Sequence, residues 1–183
     1  MTVKILNPQY QLTGALTEII KFKYTKRFYD VGSFEMTVSS SAKNADLLKI
    51  HHIIKTREID GFILHMEQEN NRITISGYDL CGLLERRYSL GSEHFSTAKT
   101  KLGVFEYYLL GTVDDRTEET GLARNISDVE WSGELFIKNS EILKSYGIEN
   151  GYGYDITVSP LTGGLVSSIY KGMDLSNTVI FRD

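Results

Sequence analysis

The sequence predicts an α+β fold rich in β-structure, in which an antiparallel barrel-like or meander sheet with short helices precedes a small subdomain of two helices and a β-hairpin. Three observations favour this class. Tyrosine, a strand former, occurs 11 times in 183 residues. Sixteen glycines supply turns, whereas there are only two prolines. Several segments alternate apolar and polar residues, which is typical of strands with one buried face.

Short strands account for most of the first half of the chain. Phe34, Met36 and Val38 alternate with polar residues and predict a strand with one buried face. The serines at 39–41 predict the N-cap of a short helix. The sequence Glu-Asn-Asn at 69–71 predicts a tight hairpin turn, because Asn tolerates positive φ. A short apolar stretch covers residues 4–6, and the predicted strands of this half cover residues 19–24, 34–38, 53–57, 61–67 and 72–76.

The hydrophobic period changes near the middle of the chain. Leu80, Leu83 and Leu84 follow the spacing of one helix face, which predicts a helix over residues 78–87. The ten residues that follow, YSLGSEHFST, are polar and predict a boundary between two subdomains. The predicted subdomains cover residues 1–92 and 93–183.

The second subdomain is predicted to contain two helices and a β-hairpin. The helices cover residues 98–110 and 133–146, and Ser132 is the predicted cap of the second. The hairpin strands, residues 154–158 and 165–170, flank the turn signal SPLTGG. A further apolar run ends two residues before Asp183, so we expect the natural protein to continue beyond this point.

Composition and charge argue against several classes of function. The net charge of −4 argues against a dedicated nucleic-acid binder, since affinity for phosphate requires clustered Lys and Arg. Lys21, Lys23, Lys26 and Arg27 do alternate with aromatic residues, but the overall charge favours a strand with a lysine face. No apolar run predicts a membrane span, and no secretory signal is evident, so synthesis in a cytoplasm without general export is expected.

The sequence contains no recognisable catalytic frame. There is no G-x-S-x-G, H-E-x-x-H or P-loop motif. His51 and His52 are adjacent and would point to opposite faces of an extended chain, which does not suit a metal. Cys81, the single cysteine, excludes a disulfide framework. We therefore expect no enzyme activity, no metal and no cofactor.

Three tyrosines cluster around two glycines near the end of the chain. Tyr146, Tyr152 and Tyr154 surround Gly151 and Gly153. Exposed tyrosines can stack on sugars or form the centre of an interface, and buried ones serve ordinary core packing. The pattern alone leaves these three interpretations open.

Three segments together resemble siphophage and prophage tail proteins of the tail-tip hub type. They are RFYDVGSFE at residues 27–35, GYDLCGLLERR at 77–87 and IYKGMDL at 169–175. The order of the segments matches the family, and the resemblance extends over nearly the whole chain. It implies a structural protein of the virion tail tip, made in the cytoplasm of a bacterial host.

The resemblance also implies partners. Such hubs are usually homotrimers that close the distal end of the tail tube, contact distal tail and tail-tip proteins, and in some cases reach the host surface. Members are generally longer, with a C-terminal half that can carry a host-binding or wall-degrading module. The candidate structural or interface residues are Arg27, Tyr29, Phe34, Glu35, Arg86, Arg87, Tyr152 and Tyr154.

Three arginines lead to further hypotheses. Arg27 is expected to pair with a carboxylate such as Glu35 or Glu85, and Arg86 and Arg87 suit the negative end of a helix dipole.

The alternative function is a host-surface carbohydrate-binding module that uses exposed tyrosines. A peptidoglycan-degrading enzyme is a third possibility, disfavoured by the lack of a catalytic frame.

Overall fold

A computed structural model describes residues 1–88, 137–161 and 163–171, together with the backbone of three short strands at 94–95, 117–119 and 131–132. The helix predicted at 98–110 and the apolar run before Asp183 lie outside the described residues. The division into subdomains 1–92 and 93–183 stays a prediction.

Seven antiparallel strands of the first half form one sheet. The spatial order is β2-β1-β5-β6-β7-β4-β3. The α+β, β-rich class predicted from the sequence is therefore confirmed. The strands are β1 (Val3–Leu6), β2 (Leu12–Leu16), β3 (Ile19–Thr25), β4 (Ser33–Ser39), β5 (Ile53–Lys55), β6 (Asp60–Glu69) and β7 (Arg72–Asp79).

The two edge strands of this sheet are consecutive in the chain. Only Thr17 and Glu18 separate the end of β2 from the start of β3, so these ends lie within about 11 Å of each other. Six interstrand spacings would place the edges of a flat sheet about 29 Å apart. The sheet is therefore strongly curved, as the predicted barrel-like form requires. It is not a closed barrel, because β2 and β3 do not pair.

The concave face of the sheet encloses an apolar cluster, called here the inner core. Ile5, Met36, Ile54, Ile63 and Ile75 are completely buried in it. Their strand neighbours on the other face are polar or exposed in β4, as the period of two predicts. Burying each of these side chains stabilises the fold by about 2 kcal/mol.

The convex face carries a second apolar cluster, the outer core, at one end of the sheet. Leu6, Ile53 and Phe62 lie next to one another in register on neighbouring strands and face outward. They pack against a helix and a hairpin from the second half, which contribute Leu143 and Ile156 among others. Strands β5 and β6 are consequently buried on both faces where they begin.

The second half adds five strands and one helix among the described residues. The hairpin β11–β12 confirms the predicted hairpin, and β9 pairs with β12 in parallel. Strands β8 and β10 pair with each other. The elements are β8 (His94–Phe95), β9 (Thr117–Glu119), β10 (Trp131–Ser132), α1 (Asn139–Asn150), β11 (Tyr152–Val158) and β12 (Leu165–Lys171).

The helices of the first half are shorter than predicted. Tyr78 belongs to β7 because that strand remains paired with β4 and β6 through Tyr78 and Asp79. The predicted helix is therefore a 3-10 helix over Leu80–Arg86. The serines at 39–41 do not cap a helix, since a single 3-10 turn, Ala45–Leu47, follows Asn44 in the left-handed conformation.

Helix α1 is also displaced from its prediction. Ser132 lies in β10 and is not the cap, and the helix begins at Asn139 with no side-chain cap. Gly147, the first residue after the predicted helix 133–146, lies within the observed helix. Gly151 ends the helix at a φ of 74°, in the left-handed region that favours glycine.

The turn between β6 and β7 is the one predicted. Asn70 and Asn71 have φ values of 47° and 64°, which gives the two left-handed positions of a tight hairpin turn. Asn71 also holds the chain that leaves β4. Its carbonyl accepts a hydrogen bond from the amide of Ser40 at 2.9 Å, and its side-chain oxygen accepts one from the Ser40 hydroxyl at 2.6 Å.

Candidate functional site

Charged side chains gather where β11 meets the curved sheet. We call this group the charged junction and define it by Lys26, Lys55, Asp60, Asp79 and Asp155. These residues line a cleft of about 260 Å³ between the sheet and the hairpin. The group forms because the two layers bring their polar residues to the border of the outer core.

Asp60 joins the sheet directly to the hairpin. Its buried carboxylate accepts hydrogen bonds from the Lys55 ammonium at 2.6 Å and from the Val158 amide at 2.9 Å. Lys55 also donates to the carbonyl of Val158 at 2.8 Å. Burial raises the pKa of Asp60, although the Lys55 and Val158 hydrogen bonds oppose this effect. Lys55 and Asp60 thus hold the end of β11 in place.

Asp79 is the most buried carboxyl group of the junction, with 4% of its surface exposed. It accepts a hydrogen bond from the Gly32 amide at 2.9 Å. Burial, reinforced by the charge of Asp155, raises the pKa of Asp79 to about 6. The close approach requires glycine, because a Cβ at Gly32 would lie 2.4 Å from Asp79 Oδ2 and 2.5 Å from the Thr25 carbonyl oxygen.

Lys26 and Asp155 complete the junction. They form an ion pair between the segment after β3 and the middle of β11. Burial lowers the pKa of Lys26, but the hydrogen bond and charge of Asp155 raise it by more. The Cys81 thiol lies 4.0 Å from Asp155 Oδ1, and burial raises the pKa of this thiol. A protonated, buried thiol is not a nucleophile.

Two further ion pairs connect helix α1 to the first half. Asp30 accepts a hydrogen bond from Lys144 at 2.6 Å, and Glu85 accepts one from Lys138 at 2.9 Å. Burial would raise the pKa of Asp30, but the Lys144 hydrogen bond and the Val31 amide lower it overall. These contacts fix α1 against the curved sheet.

Arg27 pairs with a different acid from those expected. Its guanidinium lies 3.6 Å from the Asp30 carboxylate. Glu35 is bound by Lys21 at 2.5 Å, and Glu85 by Lys138. The expected partners are therefore wrong, because a local bend brings Asp30 within reach of an arginine three residues earlier.

The other candidates of the RFYDVGSFE segment divide between core and surface. Phe34 is buried in the inner core, where its ring would lie 2.8 Å from a Cβ at Gly61. Tyr29 is half-buried and packs edge-on against Phe28, with ring centroids 4.6 Å apart. Glu35 is partly exposed on the convex face of β4. The structure does not bring these side chains into one site.

Arg86 and Arg87 lie at the end of the second 3-10 helix. The Arg86 guanidinium stands 5.2 Å from the centre of the Phe62 ring, a cation–π arrangement that covers the outer core. The Arg87 side chain is exposed, and its carbonyl accepts a hydrogen bond from the Asn139 amide at 2.9 Å, near the start of α1.

The tyrosine cluster serves core packing. Tyr146 and Tyr154 are 3% and 2% exposed and belong to the outer core, and Tyr152 is partly buried against it. The exposed tyrosines assumed by the carbohydrate-binding alternative are therefore not present at these positions. Burial raises the pKa of Tyr146 to about 12.

Sequence reasoning missed the charged junction. Asp60 and Asp79 stand inside or beside apolar runs, IDGFI and GYDLCGLL, where an acidic residue signals a buried and satisfied carboxylate. That signal was available. The grouping itself was not identifiable, because Lys26, Asp79 and Asp155 come from distant parts of the chain.

The described part of the chain lacks both a metal-binding cluster and a membrane-spanning helix. There, no three His, Cys, Asp or Glu side chains are grouped so that they could hold a metal ion. In the same residues, no helix is both long and apolar enough to span a membrane.

The fold is that of phage tail proteins, and the charged junction consists of contacts that hold this fold together. The prophage tail protein gp18 from Listeria monocytogenes superposes with a TM-score of 0.60 and 11% identity, over 92% of this chain and 50% of that one. A tail protein from Neisseria meningitidis gives 0.59 and 13%, over 91% and 49%. The Escherichia coli c3393 protein, a component of the type VI secretion system, gives 0.56 and 12%, over 84% and 46%.

Residues 2–102 match the family described as Siphovirus ReqiPepy6 Gp37-like protein, and the chain belongs to this family. The predicted resemblance to siphophage and prophage tail proteins is thus confirmed. The chain spans about half the length of the structures named above. No curated protein matches it.

Proposed function

We propose that the chain is a structural subunit of the tail tip or baseplate hub of a bacteriophage or prophage, and that it mediates tail assembly and closes the distal end of the tail tube. The observation that carries this proposal is the curved sheet, whose fold is shared with prophage tail proteins and whose residues fall within a siphovirus tail protein family.

The charged junction supports a structural role in place of catalysis. Asp60 is engaged by Lys55 and a backbone amide, Asp155 is paired with Lys26, and Asp79 accepts from Gly32. Apart from the Lys55–Asp60 pair, each of these contacts joins parts of the chain that are far apart in sequence. The junction therefore holds two layers in a fixed arrangement, which a subunit under load in an assembly requires.

The proposed partners follow from the same role. They are other copies of this chain, as a homotrimer, the distal tail and tail-tip proteins, and the host cell surface. The likeness in fold to the E. coli c3393 protein supports this, since that component of the type VI secretion system exhibits structural similarity to the T4 bacteriophage tail proteins gp27 and gp5. We propose that the chain is made in the bacterial cytoplasm and resides at the virion tail tip.

Gold-labelled antibodies against the chain test its location. Electron microscopy of particles from the encoding phage or lysogen is expected to show label at the distal end of the tail. Particles from a deletion mutant provide the control, and they should be unlabelled and lack the distal structure. Label along the tube, on the capsid, or on no particle would contradict the proposal.

A further inference from the structure

Strand β6 has a free edge over half of its length. It pairs with β5 only over Asp60, Gly61 and Phe62, and beyond Ile63 this edge has no strand beside it in the described part of the chain. The last five residues, 65–69, are all exposed. An unpaired edge of this length is a template for pairing with another chain.

Strand β3 provides a second free edge. Among the described residues it pairs only with β4, and all seven of its residues are at least partly exposed. In this region the described part of the sheet consists of four strands, in the order β6-β7-β4-β3, with one free edge on each side. The two edges therefore face away from each other and are available to different neighbours.

The two edges carry opposite charges on the same face of the sheet. Lys21 and Lys23 lie on the convex face of β3, and Glu67 and Glu69 lie on the convex face of β6. Lys21 and Glu67 occupy one row across the sheet, through the intervening threonines of β4 and β7. Within residues 1–88, 137–161 and 163–171, neither glutamate forms an ion pair, whereas Lys21 is also paired with Glu35 of its own chain.

Exposed apolar side chains flank both edges. Ile20 and Tyr24 on β3 are 52% and 45% exposed, and Met66 on β6 is 43% exposed. Tyr24 and Met66 belong to the concave face, as their partners Phe34 and Ile75 show. A strand added to either edge would cover these side chains and extend the inner core.

We propose that β3 of one copy of the chain pairs with residues 65–69 of β6 in a second copy. This inference rests on the proposed function, because it names the surfaces through which the structural subunits would associate. The lysines of β3 then stand beside the glutamates of β6, as favourable cross-strand pairs. The contact joins two different surfaces, so repeating it produces a ring when the rotation closes.

Cysteine cross-linking between single variants tests this contact. Lys23→Cys and Glu67→Cys are prepared separately, mixed, and treated with a short bismaleimide. Cross-linked dimer is expected in the mixture and only at background level in either variant alone, because the proposed contact brings position 23 of one copy to position 67 of another. Cys81 does not compete, since it is 2% exposed.

A mixture of Lys4→Cys with Glu67→Cys provides the matched control. Lys4 is exposed but lies on β1, an interior strand of the sheet, so it should not cross-link. Equal cross-linking in the control mixture would overturn the inference. So would the absence of cross-links at a concentration where light scattering shows an oligomer.

Charge reversal provides a second test, with rescue. Glu67→Lys combined with Glu69→Lys is expected to weaken self-association at least about tenfold, because like charges then face each other across the contact. Adding Lys21→Glu and Lys23→Glu should restore association, provided that circular dichroism shows a native fold. Failure of the folded quadruple variant to recover would contradict the pairing.

Failure of the edge pairing and failure of the proposed tail-tip role would give different experimental results. A chain that is monomeric at every concentration overturns the edge pairing. Distal gold labelling would still support the tail-tip role in that case. Association through other surfaces together with distal labelling would likewise reject only the pairing.

Discussion

At the level of single residues, Asp79 illustrates how the burial of one carboxyl group makes folding stability depend on pH. Its pKa rises from an ordinary value of about 3.9 to about 6. The folded state therefore holds a proton that the unfolded state releases between these values. Its contribution to stability is present below about pH 4 and is lost as the pH rises through about 6.

Asp79→Asn should remove this pH dependence. The amide oxygen can still accept from Gly32, and the cost of burying a charge disappears. We expect the variant to be more stable than the parent near pH 7.5, by up to roughly 3 kcal/mol, and about equal near pH 4. Urea unfolding at both pH values measures this. Asp46→Asn, at an exposed position, should have the same stability as the parent at both pH values. A loss of stability in Asp79→Asn that is equal at both pH values would contradict the prediction.

Arg27→Ala is expected to have little effect on stability. The arginine side chain is 57% exposed and its contact with Asp30 is long, so the change should stay below about 1 kcal/mol. Asp30→Ala should cost more, about 1–2 kcal/mol, because Lys144 and the Val31 amide lose their acceptor. Thermal melting of both variants measures the difference. An equal effect would show that Arg27 is the dominant partner.

Residue-level prediction succeeded where local rules decide the structure. Asn70 and Asn71 form the expected turn because Asn readily adopts positive φ. It named the wrong partners for Arg27 and left the role of the tyrosines open, because the surroundings of these residues depend on tertiary packing. The exposure of Tyr154 could not be read from its neighbours in the chain, since about half of the outer core that buries it comes from the first half.

At the level of elements, the hairpin β11–β12 depends on the sheet for its position. Asp60 contacts the last residue of β11 and pairs with Lys55 in the same contact. The hairpin is thus held by groups from β5 and β6. Removing one of them leaves buried polar atoms without partners.

Asp60→Ala is expected to destabilise the protein by at least about 2 kcal/mol, since the Lys55 ammonium and the Val158 amide lose their acceptor. Hydrogen exchange at the Val158 amide should increase more than exchange at residues of β4. Glu58→Ala, at an exposed position in the preceding turn, should change stability by no more than about 0.5 kcal/mol. Equal effects of the two changes would reject the role given to Asp60.

Strands were predicted better than helices for a physical reason. Period-two alternation survives in β4 because one face is buried and the other is not. The helix predicted at 78–87 shares its first residues with β7, because hydrogen bonding to two neighbouring strands outweighs helix propensity there. The start of α1 was misplaced because Ser132 mimics a cap but lies in β10.

At the level of the whole molecule, the two cores share strands. Ile53 and Ile54 are adjacent in β5 and belong to the outer and inner core respectively. Loss of either core therefore disrupts the backbone that supports the other. We expect the described parts of the chain to unfold as one unit.

Denaturant unfolding followed by two signals tests this expectation. Far-ultraviolet circular dichroism reports largely on the sheet, and near-ultraviolet tyrosine signals report in part on Tyr146 and Tyr154 of the outer core. The two transitions should coincide. Met36→Ala in the inner core should lower the free energy of unfolding measured by both signals by the same amount, about 2–4 kcal/mol. Separate transitions would instead indicate that the predicted subdomains 1–92 and 93–183 unfold independently.

Self-association through the proposed edges should depend on salt. The facing lysines and glutamates are exposed, so their attraction is screened when ionic strength rises from about 50 mM to about 500 mM. Light scattering should show a smaller average mass at the higher salt concentration. An unchanged or larger mass would indicate that apolar contacts dominate the association.

The short link between β2 and β3 also limits the size of the curved sheet. Thr17 and Glu18 tie together strands at opposite edges, so the sheet cannot open further than this covalent tether allows. Substitutions in the inner core can alter stability, yet they leave the tether unchanged. The maximum width of the curved sheet is thus set by the length of this link and is the same in every copy of the chain.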